Sequence, residues 1–111
     1  MRRVIVESPF AGVDDEQRAK NLQYARAAMH DCLVRGEAPF ASHLLYTQPG
    51  VLDDELADER ALGIEAGLVW GHLADVTVVY TDRGISGGMQ QGIERATREG
   101  RPVKYRTLTG W

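Results

Sequence analysis

The densest chemistry in the chain lies in "YTDRGISGGMQQGIERA", Tyr80 to Ala96. Within it "GISGG" matches G-x-S-x-G, the turn that presents a nucleophilic serine in hydrolases, with Ser86 in the serine position. That chemistry needs a histidine after the serine in chain order, and His30, His43 and His72 all precede Ser86. The turn also lacks the lysine of a P-loop and is not a G-x-G-x-x-G after the first strand. What remains is the physics of a glycine-rich turn opening a helix. Gly84, Ser86, Gly87, Gly88 and Met89 would let a ligand approach backbone N–H groups that favour an anion.

Carboxylates come next. Glu7 and Asp82 each follow an apolar run, where a buried acid could bind sugar hydroxyls or act as a base. Asp53, Asp54, Glu55, Asp58 and Glu59 cluster before a helical pattern and read mostly as a solvated helix start, with Glu59 a further acid. His43 lies beside apolar residues, either as an interior histidine or as a ligand contact. His30, Asp31 and Cys32 are adjacent on a helical pattern, so they cannot converge on one ion, and no metal or cofactor is expected.

These residues need elements to position them. "VIVESPF" is a β-branched run ending in a Ser-Pro turn signal, a first strand. A helix follows over 12–37, with Leu22, Ala25, Met29 and Cys32/Leu33 at helical spacing, Asp14 or Asp15 as cap and Gly36 as terminator. "APFASHLLY" reads as a second strand, placing His43 in its middle, and "TQPGVLDDEL" as a loop. The segment 54–74 is a second long helix with two stripes. One holds Leu56, Leu62, Val69 and Leu73, the other Gly63, Gly67 and Gly71. Each helical glycine costs about 1 kcal/mol relative to alanine, so close packing on a sheet or partner is expected there. "DVTVVYTD" is the third strand. Ser86 caps a last helix with Met89, Ile93 and Ala96 inward and Gly100 at its end, and "PVKYRTL" is the fourth strand.

The order β-α-β-α-β-α-β predicts an α/β fold, a small doubly wound, Rossmann-like or flavodoxin-like parallel sheet of four strands in the order 2-1-3-4, helices on both faces, in one domain over 1–111. The switch point then falls between strands one and three, where ligands bind at the strands' carboxyl ends. "ESPFAG" and "TDRGISGG" meet there.

Composition narrows the partners. The formal net charge is −3, which weighs against a nucleic-acid-coating surface. The single cysteine, Cys32, allows no intrachain disulfide and suits a reducing, cytoplasmic setting. "MRRVIVESPF" is too short in its apolar run for a signal peptide or a membrane helix.

On those motifs the chain resembles the nucleoside 2-deoxyribosyltransferase superfamily. Asp75 before the third strand, Ser86-x-Gly88 opening a helix that reaches Ala96, and "VIVESPFAG" with "NLQYAR" carry the resemblance. Over nearly its full length the chain is also similar to small, mostly phage-borne domains of unknown function, through "ESPFAG", "GEAPFASHLLY", "ADERALGIEAG", "GISGGM" and "PVKYRTL". The superfamily resemblance implies cleavage of a nucleoside N-glycosidic bond by a glutamate four residues after Gly88. This chain has Gly92 there, and Glu94 is rotated by about 200° on a 3.6-residue helix, away from the crevice.

The reading favoured by these features is a module that holds a nucleoside or nucleotide-derived molecule without turnover, such as a phage protein capturing a host nucleotide signal in the host cytoplasm. Its binding residues would be Glu7, Ser8, Pro9, Phe10, Asn21, His43, Tyr46, Tyr80, Asp82, Gly84, Ser86, Gly87, Gly88 and Met89. Phe10, Tyr46 or Tyr80 would stack on a base, and Glu7, Asp82 and Asn21 would meet sugar hydroxyls. The alternative is an N-glycosidase or deoxyribosyltransferase with a relocated carboxylate from Glu7, Glu59 or Asp82. A further alternative is an oligomeric scaffold, and the resemblance itself implies a homo-oligomer.

Overall fold

A computed structural model describes residues 1–111. Four parallel strands, β1 (Arg3–Glu7), β2 (Ala38–Phe40), β3 (Val76–Tyr80) and β4 (Val103–Arg106), lie in the order β2-β1-β3-β4. Register is fixed by Arg3 opposite Ala38, Glu7 opposite Val79 and Tyr80 opposite Arg106. The helices are α1 (Asp15–Val34), the single turn α2 (Ser42–Leu45), α3 (Ala57–Gly71) and α4 (Gly87–Arg98). The expected strand order and alternation are what the molecule adopts.

Helix ends follow their local chemistry. Asp14 accepts from the Gln17 N–H at 2.8 Å to start α1. Ser86 accepts from the Met89 N–H at 3.3 Å to start α4. Gly36 and Gly100 follow α1 and α4 at φ +79° and +72°, a backbone region that strains other residues.

Strand alternation divides the sheet into two faces. Val4 and Val6 of β1 and Val76, Val78 and Tyr80 of β3 pack on one face with Tyr24, Ala28 and Cys32 of α1. Each of the buried valines among them contributes about 1.5–3 kcal/mol. Polar groups on this face are paired. The Tyr80 hydroxyl donates to Asp31 at 2.7 Å, and Arg106 grips both oxygens of Glu37 at 2.7 Å.

The other face carries Ile5 and Glu7 of β1 and Thr77 and Val79 of β3, with α3 and α4 against it. Here the long helix packs by its glycine stripe, as the close packing expected of those glycines requires. Leu56, Leu62, Val69 and Leu73 stand exposed, while Gly67 and Gly71 are buried. A β-carbon on Gly67 would come within 2.5 Å of Ser42 Oγ, and one on Gly71 within 3.3 Å of Arg101 Nη2. The glycine stripe is the inward stripe because the neighbouring groups come that close. A correction concerns "APFASHLLY". The strand stops at Phe40, and His43 sits in the helical turn α2.

Candidate functional site

Two adjoining cavities open at the switch point. The inner one, about 100 Å³, is bounded by Ile5 and Glu7 of β1, Ser8 and Phe10 after it, His43 of α2, and Gly88, Met89 and Gly92 of α4, with Arg101 behind. The outer one, about 790 Å³, runs from Phe10, Ala11 and Arg18 to the loop of Thr47–Glu55 and to Glu59 and Arg60 of α3. Phe10, Ala11, Asp54 and Arg60 line both.

Glu7 is the central side chain. Its place in the strand points it to the α4 face, and its carboxyl rests against Gly92. A β-carbon built on Gly92 would lie 2.5 Å from Glu7 Cδ, and closer still to Oε2. Burial pushes the Glu7 pKa up to about 8. The Arg101 charge offsets this only in part, and no hydrogen bond to the carboxyl contributes. Arg101 is itself engaged, donating to Thr77 Oγ1 at 3.0 Å, the Gly71 carbonyl at 2.7 Å and Glu99 at 2.7 Å.

Beside Glu7, Ser8 Oγ and His43 Nε2 are hydrogen-bonded at 2.7 Å. Burial pulls the His43 pKa down to about 4, so the ring is neutral at neutral pH, and Phe10 meets it edge-on at 6.2 Å. A neutral, hard-to-protonate imidazole is a poor base, so the pair is suited to holding a hydroxyl in place.

The start of α4 forms the opposite wall. Its first N–H groups have no intrahelical acceptor. Gly87 and Gly88 have no positive φ, and a β-carbon at either would meet nothing within 4 Å. The packing of the protein does not require glycine at these two positions, which leaves the helix start open to an approaching group.

Of the residues expected to bind, Glu7, Ser8, Phe10, His43, Ser86, Gly88 and Met89 share the inner cavity. Glu59 faces the outer one and accepts from the Asp53 N–H at 3.1 Å. The others lie elsewhere. Tyr80 is fully buried on the α1 face, bonded to Asp31 and Cys32, so it does not reach a ligand in the crevice. Asp82 is held by the Tyr24 hydroxyl at 2.6 Å and the Leu108 N–H at 2.8 Å, and these bonds keep its carboxyl below the usual range. It braces the loop after β3 and is not a free acid. Asn21 donates to the Phe10 and Ala11 carbonyls and accepts from Arg83, which shapes the loop after β1. Tyr46 packs edge-on against Phe40, Pro9 is buried outside the cavity lining, and Gly84 at φ +87° serves the turn. Glu94 is exposed, as its helical angle implies.

Arg60, which the sequence places with Glu59 at the start of the second long helix near the switch-point rim, lines both cavities, whereas sequence reasoning missed Arg101 and the α3 wall of Ile64, Gly67 and Leu68, and read Asp54 only as part of a solvated helix start. The glycine stripe was the available signal for that wall. No three His, Cys, Asp or Glu side chains converge as a metal site, and no helix is long and apolar enough to cross a membrane.

A parallel β2-β1-β3-β4 sheet with its crevice between β1 and β3 places the chain among doubly wound α/β folds. A solved structure of a 2-deoxyribosyltransferase from the psychrotolerant bacterium Bacillus psychrosaccharolyticus, characterised as a biocatalyst for nucleoside synthesis, aligns over 98% of this chain and 74% of that chain, with a TM-score of 0.65 and 21% identity. That likeness shows the fold. The chain belongs to the family described as "Domain of unknown function (DUF7768)", whose model matches residues 2–106. No curated protein matches it.

Proposed function

We propose that the crevice binds a nucleoside or nucleotide-derived small molecule. The observation that carries this reading is the Glu7 carboxyl, which meets no hydrogen-bonding group of the protein and faces a cavity at the switch point. The fold's likeness to a structure described for nucleoside synthesis supports the ligand class. The inner cavity is room for a single ring. Together with the outer cavity, the volume falls in the range of about 300–1,000 Å³ common for small-molecule sites. Phe10, lining both, is placed to pack against a ring, and the open start of α4 at Gly87 and Gly88 is placed to meet polar groups of the ligand. Thermal unfolding with a panel of nucleosides, nucleotides and cyclic dinucleotides tests this, because a selective ligand raises the melting temperature. Absence of a shift with every member of the panel defeats the reading.

A second reading, turnover of an N-glycosidic bond, is favoured by one observation. Gly92 leaves empty the space a side chain would fill, and the Glu7 carboxyl occupies it from β1. Release of free base, abolished by Glu7→Gln, supports this reading, while release that persists in Glu7→Gln removes Glu7 from it. For the assembly, the exposed Leu62, Val69 and Trp70 on α3 make that helix the surface proposed to join copies of the chain. Light scattering that returns a monomer rejects it.

A further inference from the structure

We propose that Glu7, seated over Gly92, is the residue that selects the ligand, its carboxyl donating a hydrogen bond to an acceptor on an uncharged ring held in the inner cavity. This rests on the reading that the crevice takes a nucleoside-type molecule, and it orients that molecule with the base inward and any charged part outward.

The charges in the crevice carry the orientation. The ionisable or charged groups facing Glu7 are His43 from α2, Asp54 and Arg60 at the rim, and Arg101 ahead of β4. His43 is neutral, and the Arg101 guanidinium is already bonded to Thr77, Gly71 and Glu99. An anion in the inner cavity would have to compete with Thr77, Gly71 and Glu99 for the Arg101 guanidinium and would lie against the Glu7 carboxyl, so burying one there would be costly. Arg60 lies where the two cavities join, beside Asp54, and forms no ion pair, so it is the cation placed to meet a charged substituent at the mouth of the inner cavity. An acceptor on the ring would give the Glu7 carboxyl the partner that the protein does not supply.

Gly92 is the seat. Any β-carbon there displaces the carboxyl, because the Glu7 Cδ would lie within 2.5 Å of it. The two positions should thus behave as one unit in a double-mutant cycle.

The test measures affinity for adenosine, inosine and uridine, with inorganic phosphate as competitor, in the wild-type chain, Glu7→Gln, Glu7→Ala, Gly92→Ala and Glu7→Ala/Gly92→Ala. Expected is binding of at least one nucleoside that phosphate does not displace. Glu7→Ala and Gly92→Ala each weaken it by about tenfold, the worth of one good hydrogen bond, and the double variant is no weaker than Glu7→Ala. Glu7→Gln, which keeps a donor, retains affinity. Wild-type affinity falls as pH rises past about 8, and that of Glu7→Gln does not, which separates Glu7 from the neighbouring charged groups. Nucleoside binding indifferent to Glu7→Ala, or losses that add in the double variant, overturns the proposal. If no nucleoside binds, the ligand reading and this selectivity fall together. The seat is judged separately by urea unfolding, where Gly92→Ala must destabilise the wild-type chain more than the Glu7→Ala chain. Equal costs overturn it.

Discussion

Glu7→Gln should make the chain more stable, and only above a certain pH. In the folded chain the Glu7 pKa lies at about 8, against 4.5 for an ordinary glutamate. Below pH 4.5 the folded and unfolded chains both hold the proton, so the group costs nothing. Between pH 4.5 and 8 the unfolded chain releases it while the folded chain keeps it, and stability falls as pH rises. Above pH 8 the deficit is constant. At about 1.36 kcal/mol per pH unit the full deficit is at most ~5 kcal/mol. Water in the crevice reaches part of the side chain, so roughly 2–4 kcal/mol is expected, or on the order of 10 °C in melting temperature for a domain of this size. Glutamine fills the same space and carries no charge. Urea unfolding of both chains from pH 4 to 9 should show curves that coincide near pH 4, diverge through the middle of the range and run parallel above pH 8, with the variant more stable. A constant difference, or a wild-type chain that gains on the variant as pH rises, would refute the reasoning. The second outcome would mean that attraction to Arg101 outweighs burial.

His43 has the opposite slope. Its pKa falls from 6.5 to about 4 on folding, so the unfolded chain takes up a proton first and stability drops as pH falls through that window. His43→Gln should remove up to ~3 kcal/mol of this acid sensitivity, measured by the same unfolding series. Gly67→Ala should cost about 1–3 kcal/mol through its clash with Ser42, and Ser42→Gly in the same chain should recover most of it. Gly87→Ala and Gly88→Ala should leave melting temperature unchanged or slightly raised, since nothing lies within 4 Å of either added methyl, while nucleoside affinity drops about tenfold. Retained affinity would show that the ligand does not approach the start of α4. Arg106→Met, which strands the buried Glu37 carboxylate, should destabilise by about 3–5 kcal/mol in chemical denaturation.

The strand order, the two helix caps at Asp14 and Ser86 and the place of the crevice could all be read from the sequence, because alternating elements with short loops permit few topologies. Which side chains enter the crevice could not. All five residues of β3 are buried, so "VTVVY" carries no polar alternation to separate Val79, on the crevice face, from Tyr80, on the α1 face. "APFASHLLY" is one apolar run, and such a run does not reveal where a three-residue strand yields to a helical turn. In α3 the leucines marked an apolar stripe, yet the side facing the body is decided by how closely Ser42 and Arg101 approach, and only glycine permits that distance. Arg101 follows the same logic, since its partners Thr77 and Gly71 are 24 and 30 residues away in the chain.

The contact between Glu7 and Gly92 also constrains how the crevice can change by descent. A side chain gained at position 92 meets the carboxyl from position 7, and a carboxyl lost from position 7 leaves a hole above a glycine. Apart from an exchange of glutamate for glutamine at position 7, which keeps the volume, neither position can drift alone without passing through a crowded or a vacant intermediate. Among members of this family, residues 7 and 92 should therefore exchange as a pair: glutamate with glycine in one lineage, a larger residue at 92 with a shorter one at 7 in another.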